Sequence, residues 1–258
     1  MIAIVHPAKI EGIILANASK SCMQRACAAA LLHHGTTHIV NPGNSFDDLA
    51  AIEMIQKLGA SIINHSEESL TIQSTGVAPI SQQLNCGESG LGIRMFTPIA
   101  ALSKASLTIN GSGSLLKRPM HFFDEVLPQL KVHMSSAEGF LPITIQGPLT
   151  PTNITIDGSL SSQFLTGLLM AFGAAEADGV TITVNDLKSR PYIDLTLQVM
   201  EAFGTTIQNN NYESFSFVKA NQKGKKTNIQ YQVEGDWSGA AFLLVAGAVA
   251  GNINVKGL

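Results

Sequence analysis

Charge is scarce in this 258-residue chain. Only 14% of residues are Asp, Glu, Lys or Arg against 45% hydrophobic, so most helices must be buried on more than one face. A basic excess is missing too: the formal net charge is −3, which leaves no electrostatic ground for a nucleic-acid partner. Long apolar runs are absent. The longest, residues 240–251, is about 12 residues where a bilayer span needs about 20, so no membrane partner is expected. The opening MIAIVHP lacks the charged start and cleavage pattern of a signal peptide. Cys22, Cys27 and Cys86 are an odd number without C-x-x-C spacing, which suits a reducing cytoplasm and argues against disulfides and zinc. The histidines are scattered, and none is expected to bind metal.

What the chain has is an internal repeat. Small polar residues precede Ala-, Leu-, Met- and Phe-rich runs at Ser19 (NASKSCMQR), Ser89 (CGESGLGIR), Ser159 (DGSLSSQF) and Asp236 (VEGDWSGAAF). The intervals are 70, 70 and 77 residues (89 − 19, 159 − 89, 236 − 159). Each copy is written as a capped helix start, whose free N–H groups and partial positive charge favour anions. Several such ends converging in a symmetric fold would form a site for a phosphorylated or carboxylated small molecule.

The spacing predicts a short strand over 11–16 that delivers the chain to the first unit, then a helix from Ser19 to the stop at Gly35, a strand over 37–40, a helix capped by residues 44–48 and running to 58, and a hairpin over 61–73. Met23, Cys27, Ala30 and Leu31 share one helix face, while Ser21 and Arg25 share another. The second unit repeats this with a helix over 90–102, a strand over 106–110 and a helix opened by Lys117-Arg118-Pro119. In the third, a helix spans 161–175, a strand 180–184, and Ser189-Arg190-Pro191-Tyr192 opens the next helix, before a hairpin near Asn209. The two Arg-Pro pairs keep the register. The segment 220–227, with Lys223, Lys225 and Lys226, reads as a linker and, in a closing enzyme, a hinge. A strand over 229–233 and a helix over 237–249 are expected to begin a fourth unit.

Four motifs in collinear order carry a family resemblance: K-S-x-x-x-R at Lys20, Ser21 and Arg25; D-G-S-x-S-S-Q-F-x-x-x-L-L-M from Asp157; S-x-P-Y-I-D-x-T-L from Ser189; and V-E-G-D-x-S-x-A-x-F from Val233. Together they resemble the 5-enolpyruvylshikimate-3-phosphate synthases. The resemblance implies the α/β (α+β) enolpyruvyl transferase fold of repeated βαβαββ units, in two domains with the site between them. On that basis residues 16–225 form the upper domain, in units of about 16–85, 86–155 and 156–225. Residues 1–15 and 226–258 belong to an incomplete lower domain. The implied reaction is transfer of the enolpyruvyl group of phosphoenolpyruvate to the 5-hydroxyl of shikimate 3-phosphate with release of phosphate, without metal or organic cofactor, in a family usually monomeric.

Carried over by motif, Ser161, Ser162 and Ser189 hold the 3-phosphate, Ser21 and Arg25 the carboxylate of shikimate, and Gln163 and Tyr192 line the site. Lys20 lies between the substrates and stabilises developing charge. Gly90, Arg118, Gln163 and Lys20 serve phosphoenolpyruvate. Leu91 stands where the family often has Thr, and Ser114 where some members have Arg, which leaves Arg118 the nearest basic candidate. The base and the further clamp residues belong to the lower domain, so the chain alone is expected not to turn over. It is also expected to expose an apolar patch at Trp237, Phe242 and Leu243.

Other readings stand beside these. Tyr192 shares its spacing with Leu195, Val199 and Phe203 and fits a core position equally. Cys86 reads as an inert buried thiol, and His33 and His34 as helix-end residues rather than catalysts. A UDP-N-acetylglucosamine enolpyruvyl transferase typically shows Lys-Asn in place of Lys20-Ser21. A non-catalytic module that keeps the shikimate 3-phosphate half-site is the alternative of a different class.

Overall fold

The computed structural model describes residues 4, 6, 8–218 and 226–258, so Lys223 and Lys225 of the expected linker lie outside the described residues. The elements follow in chain order: β1 (Ile10–Leu15), α1 (Lys20–Leu32), β2 (His34–Val40), α2 (Phe46–Lys57), β3 (Ser61–His65) and β4 (Ser69–Thr75). Next come β5 (Gln83–Asn85), α3 (Gly90–Ala100), β6 (Ser106–Asn110), α4 (His121–Val126), β7 (His133–Ala137) and β8 (Phe140–Gln146). The third set is β9 (Ile154–Asp157), α5 (Ser162–Ala174), β10 (Val180–Asn185), α6 (Arg190–Ala202), β11 (Gln208–Asn210) and β12 (Ser214–Phe217). The chain then continues through β13 (Asn228–Gln232), α7 (Trp237–Ala250) and β14 (Gly251–Lys256).

Three four-stranded sheets share one plan: β5-β6-β8-β7, β9-β10-β12-β11 and β13-β2-β4-β3. In each, the first two strands run parallel and the rest antiparallel; in the first two sheets this is a βαβ crossover followed by a hairpin. The third plan corrects the sequence reading of the first unit. Its outer strand is β13, expected in the incomplete lower domain (226–258), which lies instead parallel to β2 with Asn228 opposite Thr36. The strand expected to open a fourth unit therefore closes the first. The strand near the start, β1, pairs in parallel with β14 instead, in a separate two-stranded sheet covered by α7.

The scarcity of charge is explained by α1, α3 and α5. These three helices pack on one another and are buried almost all round, forming the centre of the core. Their approach depends on small residues: a Cβ at Gly167 of α5 would lie 2.7 Å from the Arg94 carbonyl oxygen and 2.8 Å from that of Met95, so only glycine lets α5 sit so close to α3. By contrast α2 and α6 bury one face each, through Ile52, Met54 and Ile55 and through Ile193, Val199 and Met200. Pro119 does not open a helix. The proline holds Arg118 extended (φ −89°, ψ 130°), so α4 starts two residues later and is only six residues long.

Around α7 and the β1–β14 pair the surface is apolar. Trp237, Phe242, Val245 and Val249 of α7 are exposed, as are Ile13 and Leu15 of β1. The expected patch is present at Trp237 and Phe242, whereas Leu243 is half-buried and Leu244 takes its place. Asp236 caps α7, accepting the Ser238 N–H at 3.0 Å. All three cysteines are buried free thiols.

One buried acid lies in the cap of α2, within the residues 44–48 expected there. Asp48 closes a capping box with Ser45, accepting its N–H (3.0 Å) and hydroxyl (2.6 Å) on Oδ2, while Oδ1 is buried without a partner. Burial raises the Asp48 carboxyl above its ordinary range, against the hydrogen bonds from Ser45 that lower it. The folded state thus binds a proton more readily than the unfolded one, and stability is lost as pH rises through this window. Asp48→Asn keeps an acceptor for Ser45 and removes the charge. It is expected to raise Tm at pH 7, by about 2–4 °C per kcal/mol recovered, with the gain shrinking toward pH 4; an equal or lower Tm at pH 7 by calorimetry contradicts this.

Candidate anion-binding site

The starts of α1, α3 and α5 are capped alike. Hydroxyls of Ser19, Ser89 and Ser161 accept backbone N–H groups from Cys22 (3.3 Å), Gly92 (2.9 Å) and Gln163 (3.2 Å). Side chains tie these starts together. Gln24 donates to the Lys20 carbonyl (3.4 Å) and accepts from the Ser89 hydroxyl (2.7 Å), linking α1 to α3. Arg94 donates to Gln163 Oε1 at 2.8 Å, linking α3 to α5.

Arg25 is at the centre and only 1% exposed. Its Nε donates to Thr196 Oγ1 (2.9 Å), NH1 to the Ser21 carbonyl (2.8 Å), and NH2 to Thr166 Oγ1 (3.4 Å) and the Tyr192 carbonyl (3.3 Å). These four bonds leave one of the five guanidinium N–H groups unused. Among the described residues no carboxylate pairs with it, and desolvation pulls its pKa down to about 10. The cation still holds its proton at neutral pH. Its charge is met by neutral dipoles alone, which favours an anion within reach.

A second cationic group gathers at Gly90. A Cβ there would lie 2.5 Å from a terminal nitrogen of Arg118 and 3.4 Å from one of Arg94, so the missing side chain makes room for two guanidinium groups. Arg94 is stacked over Phe164 at 5.0 Å, and its Nε is buried without a partner. Burial first, and the Arg118 charge second, lower its pKa. Arg118 donates to the Ser114 hydroxyl at 3.4 Å. Two like charges without a carboxylate partner among the described residues disfavour each other until an anion arrives.

The structure brings Ser21 and Arg25 together with Tyr192, and Gly90 with Arg118, while Lys20 turns to Asp47 of α2. Through the Arg94 bond it also brings Gln163 to that second group. Tyr192 is not a core residue: it is 41% exposed, with its ring 5.9 Å from the Arg25 guanidinium. The serines divide. Ser161 spends its hydroxyl on the α5 cap; Ser162 is buried, and no described residue bonds its hydroxyl. Ser189 is exposed in the left-handed region (φ 56°) without a side-chain bond that caps α6, a strained backbone just before the helix whose second residue is Pro191. Arg94 was missed. The signal was present, an arginine four residues after Gly90 in an otherwise apolar helix, but nothing in the sequence ties it to Gln163.

Residues 4–258 match the family model described as EPSP synthase (3-phosphoshikimate 1-carboxyvinyltransferase). A Clostridium perfringens protein named 3-phosphoshikimate 1-carboxyvinyltransferase is 37% identical over 253 residues, covering 97% of this chain and 59% of the relative. The EPSP synthase of Acinetobacter baumannii superposes with a TM-score of 0.79 at 26% identity, over 97% of this chain and 56% of that one. The enolpyruvyl transferase NikO of Streptomyces tendae shares the fold, with a TM-score of 0.71 at 15% identity, over 96% of this chain and 58% of that one. The chain therefore spans a little under three-fifths of the relatives it matches. Repeat plan, converging helix starts and family match together establish that this chain belongs to the EPSP synthase family.

Proposed function

We propose that this chain builds the shikimate 3-phosphate side of an enolpyruvyl transfer site, in which the enolpyruvyl group of phosphoenolpyruvate passes to the 5-hydroxyl of shikimate 3-phosphate and phosphate leaves. The observation that carries this reading is the set Arg25, Arg94 and Arg118, guanidinium groups without carboxylate partners among the described residues, gathered at three helix starts. Two substrates that are both anions repel each other, and fixed donors in a partly dry site offset that repulsion.

In this reading Ser161, Ser162 and Ser189 take the 3-phosphate. Arg25 and Ser21 take the carboxylate, with Tyr192 and Gln163 lining the site. Phosphoenolpyruvate lies against Gly90, Arg94, Arg118 and Gln163. Lys20 stands between the two and stabilises the charge that develops on the transferred group. No cofactor enters, because the transfer needs only proton movements and charge stabilisation. Turnover calls on groups from the part of the relatives beyond this chain's span, which would dock on the apolar face of α7 and β1.

A second reading is an anion-binding module without turnover, which the arginines lacking carboxylate partners among the described residues would serve equally well. Phosphate release measured on this chain with and without the remaining part of a relative separates the two. Release restored by complementation supports the split enzyme; none supports the module.

Calorimetric titration is expected to show shikimate 3-phosphate binding more tightly than inorganic phosphate, and Ser162→Ala weakening it about tenfold or more, the loss of a hydrogen bond to a charged group. Binding no better than phosphate, or untouched by Ser162→Ala, contradicts the half-site. Gly90→Ala is expected to push aside the flexible end of Arg118. Phosphoenolpyruvate affinity, measured with shikimate 3-phosphate present, should then fall severalfold with Tm almost unchanged; an unaltered affinity removes Arg118 from the site.

A further inference from the structure

The cationic side chains at the helix starts differ in one respect. Arg25, Arg94 and Arg118 have no carboxylate partner among the described residues, but Lys20 does: its Nζ lies 3.0 Å from Asp47 Oδ2. Asp47 belongs to the first turn of α2, where an acid is favoured by the helix end. Its neighbour Asp48 is turned inward onto Ser45. Asp47 is therefore the acid that meets the lysine. The Lys20 side chain is 51% exposed and that of Asp47 20%, so the pair is solvated enough to be weak and to exchange.

We propose that Asp47 is the resting counter-ion of Lys20, a positioning residue that holds the ammonium at the edge of the site and yields it to an incoming anion. The chemistry of lysine suits this. An ammonium is a point charge with three donors on a flexible four-carbon stem, so it can turn from one carboxylate to another anion, whereas the guanidinium of Arg25 is fixed by four hydrogen bonds. The pair also sets a threshold. A singly charged anion competes poorly with Asp47 for Lys20, while a phosphate or carboxylate-phosphate ligand outweighs it, so Asp47 tilts the site toward multiply charged ligands. This deepens the function proposed above and rests on it only for which anion is taken.

The test is titration of this chain with inorganic phosphate at low ionic strength, in wild type, Asp47→Asn, Asp47→Glu, Lys20→Gln and the Asp47→Asn/Lys20→Gln double variant. Glu53→Gln removes a charge elsewhere on α2 and serves as the control. Asp47→Asn is expected to tighten phosphate roughly two- to fivefold, the worth of one exposed pair. Asp47→Glu should stay near wild type, and the gain should vanish in the double variant. The proposal is overturned if Asp47→Asn binds phosphate no better than wild type, including the case where neither binds. It is equally overturned if the gain survives without Lys20 or is matched by Glu53→Gln. A parallel titration with shikimate 3-phosphate keeps the two ideas apart. Its failure beside an intact phosphate cycle sinks only the substrate assignment, and its success beside a flat cycle sinks only the role of Asp47.

Discussion

A buried guanidinium that meets no carboxylate among the described residues is the constraint on which the architecture turns. A cation taken out of water is strongly unfavourable unless dipoles replace the lost hydration. For Arg25 those dipoles come from three helices: the Ser21 carbonyl of its own α1, Thr166 of α5, and Thr196 and the Tyr192 carbonyl of α6. The Thr166 and Thr196 hydroxyls also bond each other at 2.9 Å, and Thr196 donates to the Tyr192 carbonyl at 2.8 Å. The first and third repeats are thereby fixed relative to one another by a polar cluster that tolerates little displacement. Arg94 and Gln163 do the same for the second and third.

The division of labour within the helices follows. Along α1, α3 and α5 the buried side chains are apolar and interchangeable in kind, and they supply the hydrophobic stabilisation of the core. Toward their N-terminal ends α1 and α3 carry Arg25 and Arg94, which do the opposite: they concentrate positive potential where burial makes it expensive. A protein keeps such a conflict between local stability and charge where something else resolves it, as strain is kept at functional sites.

What was legible in the sequence was local. Serine caps, apolar periodicity and hairpin turns lie within a few residues of what they determine, so the helix starts, the repeat plan and the pairing of β3 with β4 could be read directly. Non-local choices could not be read. Nothing in the composition of residues 229–233 says that they prefer β2 over a new sheet, because both options offer the same backbone hydrogen bonds. Tyr192 has the spacing of a core residue but faces outward, since its neighbour Ile193 occupies the buried face of α6. The Arg-Pro pairs look equivalent, yet Pro191 lies inside its helix while Pro119 lies before one. The bond between Arg94 and Gln163 joins residues of separate repeats and leaves no trace in either motif.

The partnership of β13 with β2 bears on how the molecule comes to be folded. The second and third repeats each hold all four strands of their sheet in one continuous stretch, and each can close as soon as that stretch exists. The first repeat, though made first, has to wait with one edge of β2 unpaired until Asn228–Gln232 arrives from the far side of the other two. Contacts of such long sequence separation form slowly, because loop closure precedes any reward. The chain is thus finished in an order that its numbering does not suggest, with the first repeat sealed only after the two that follow it.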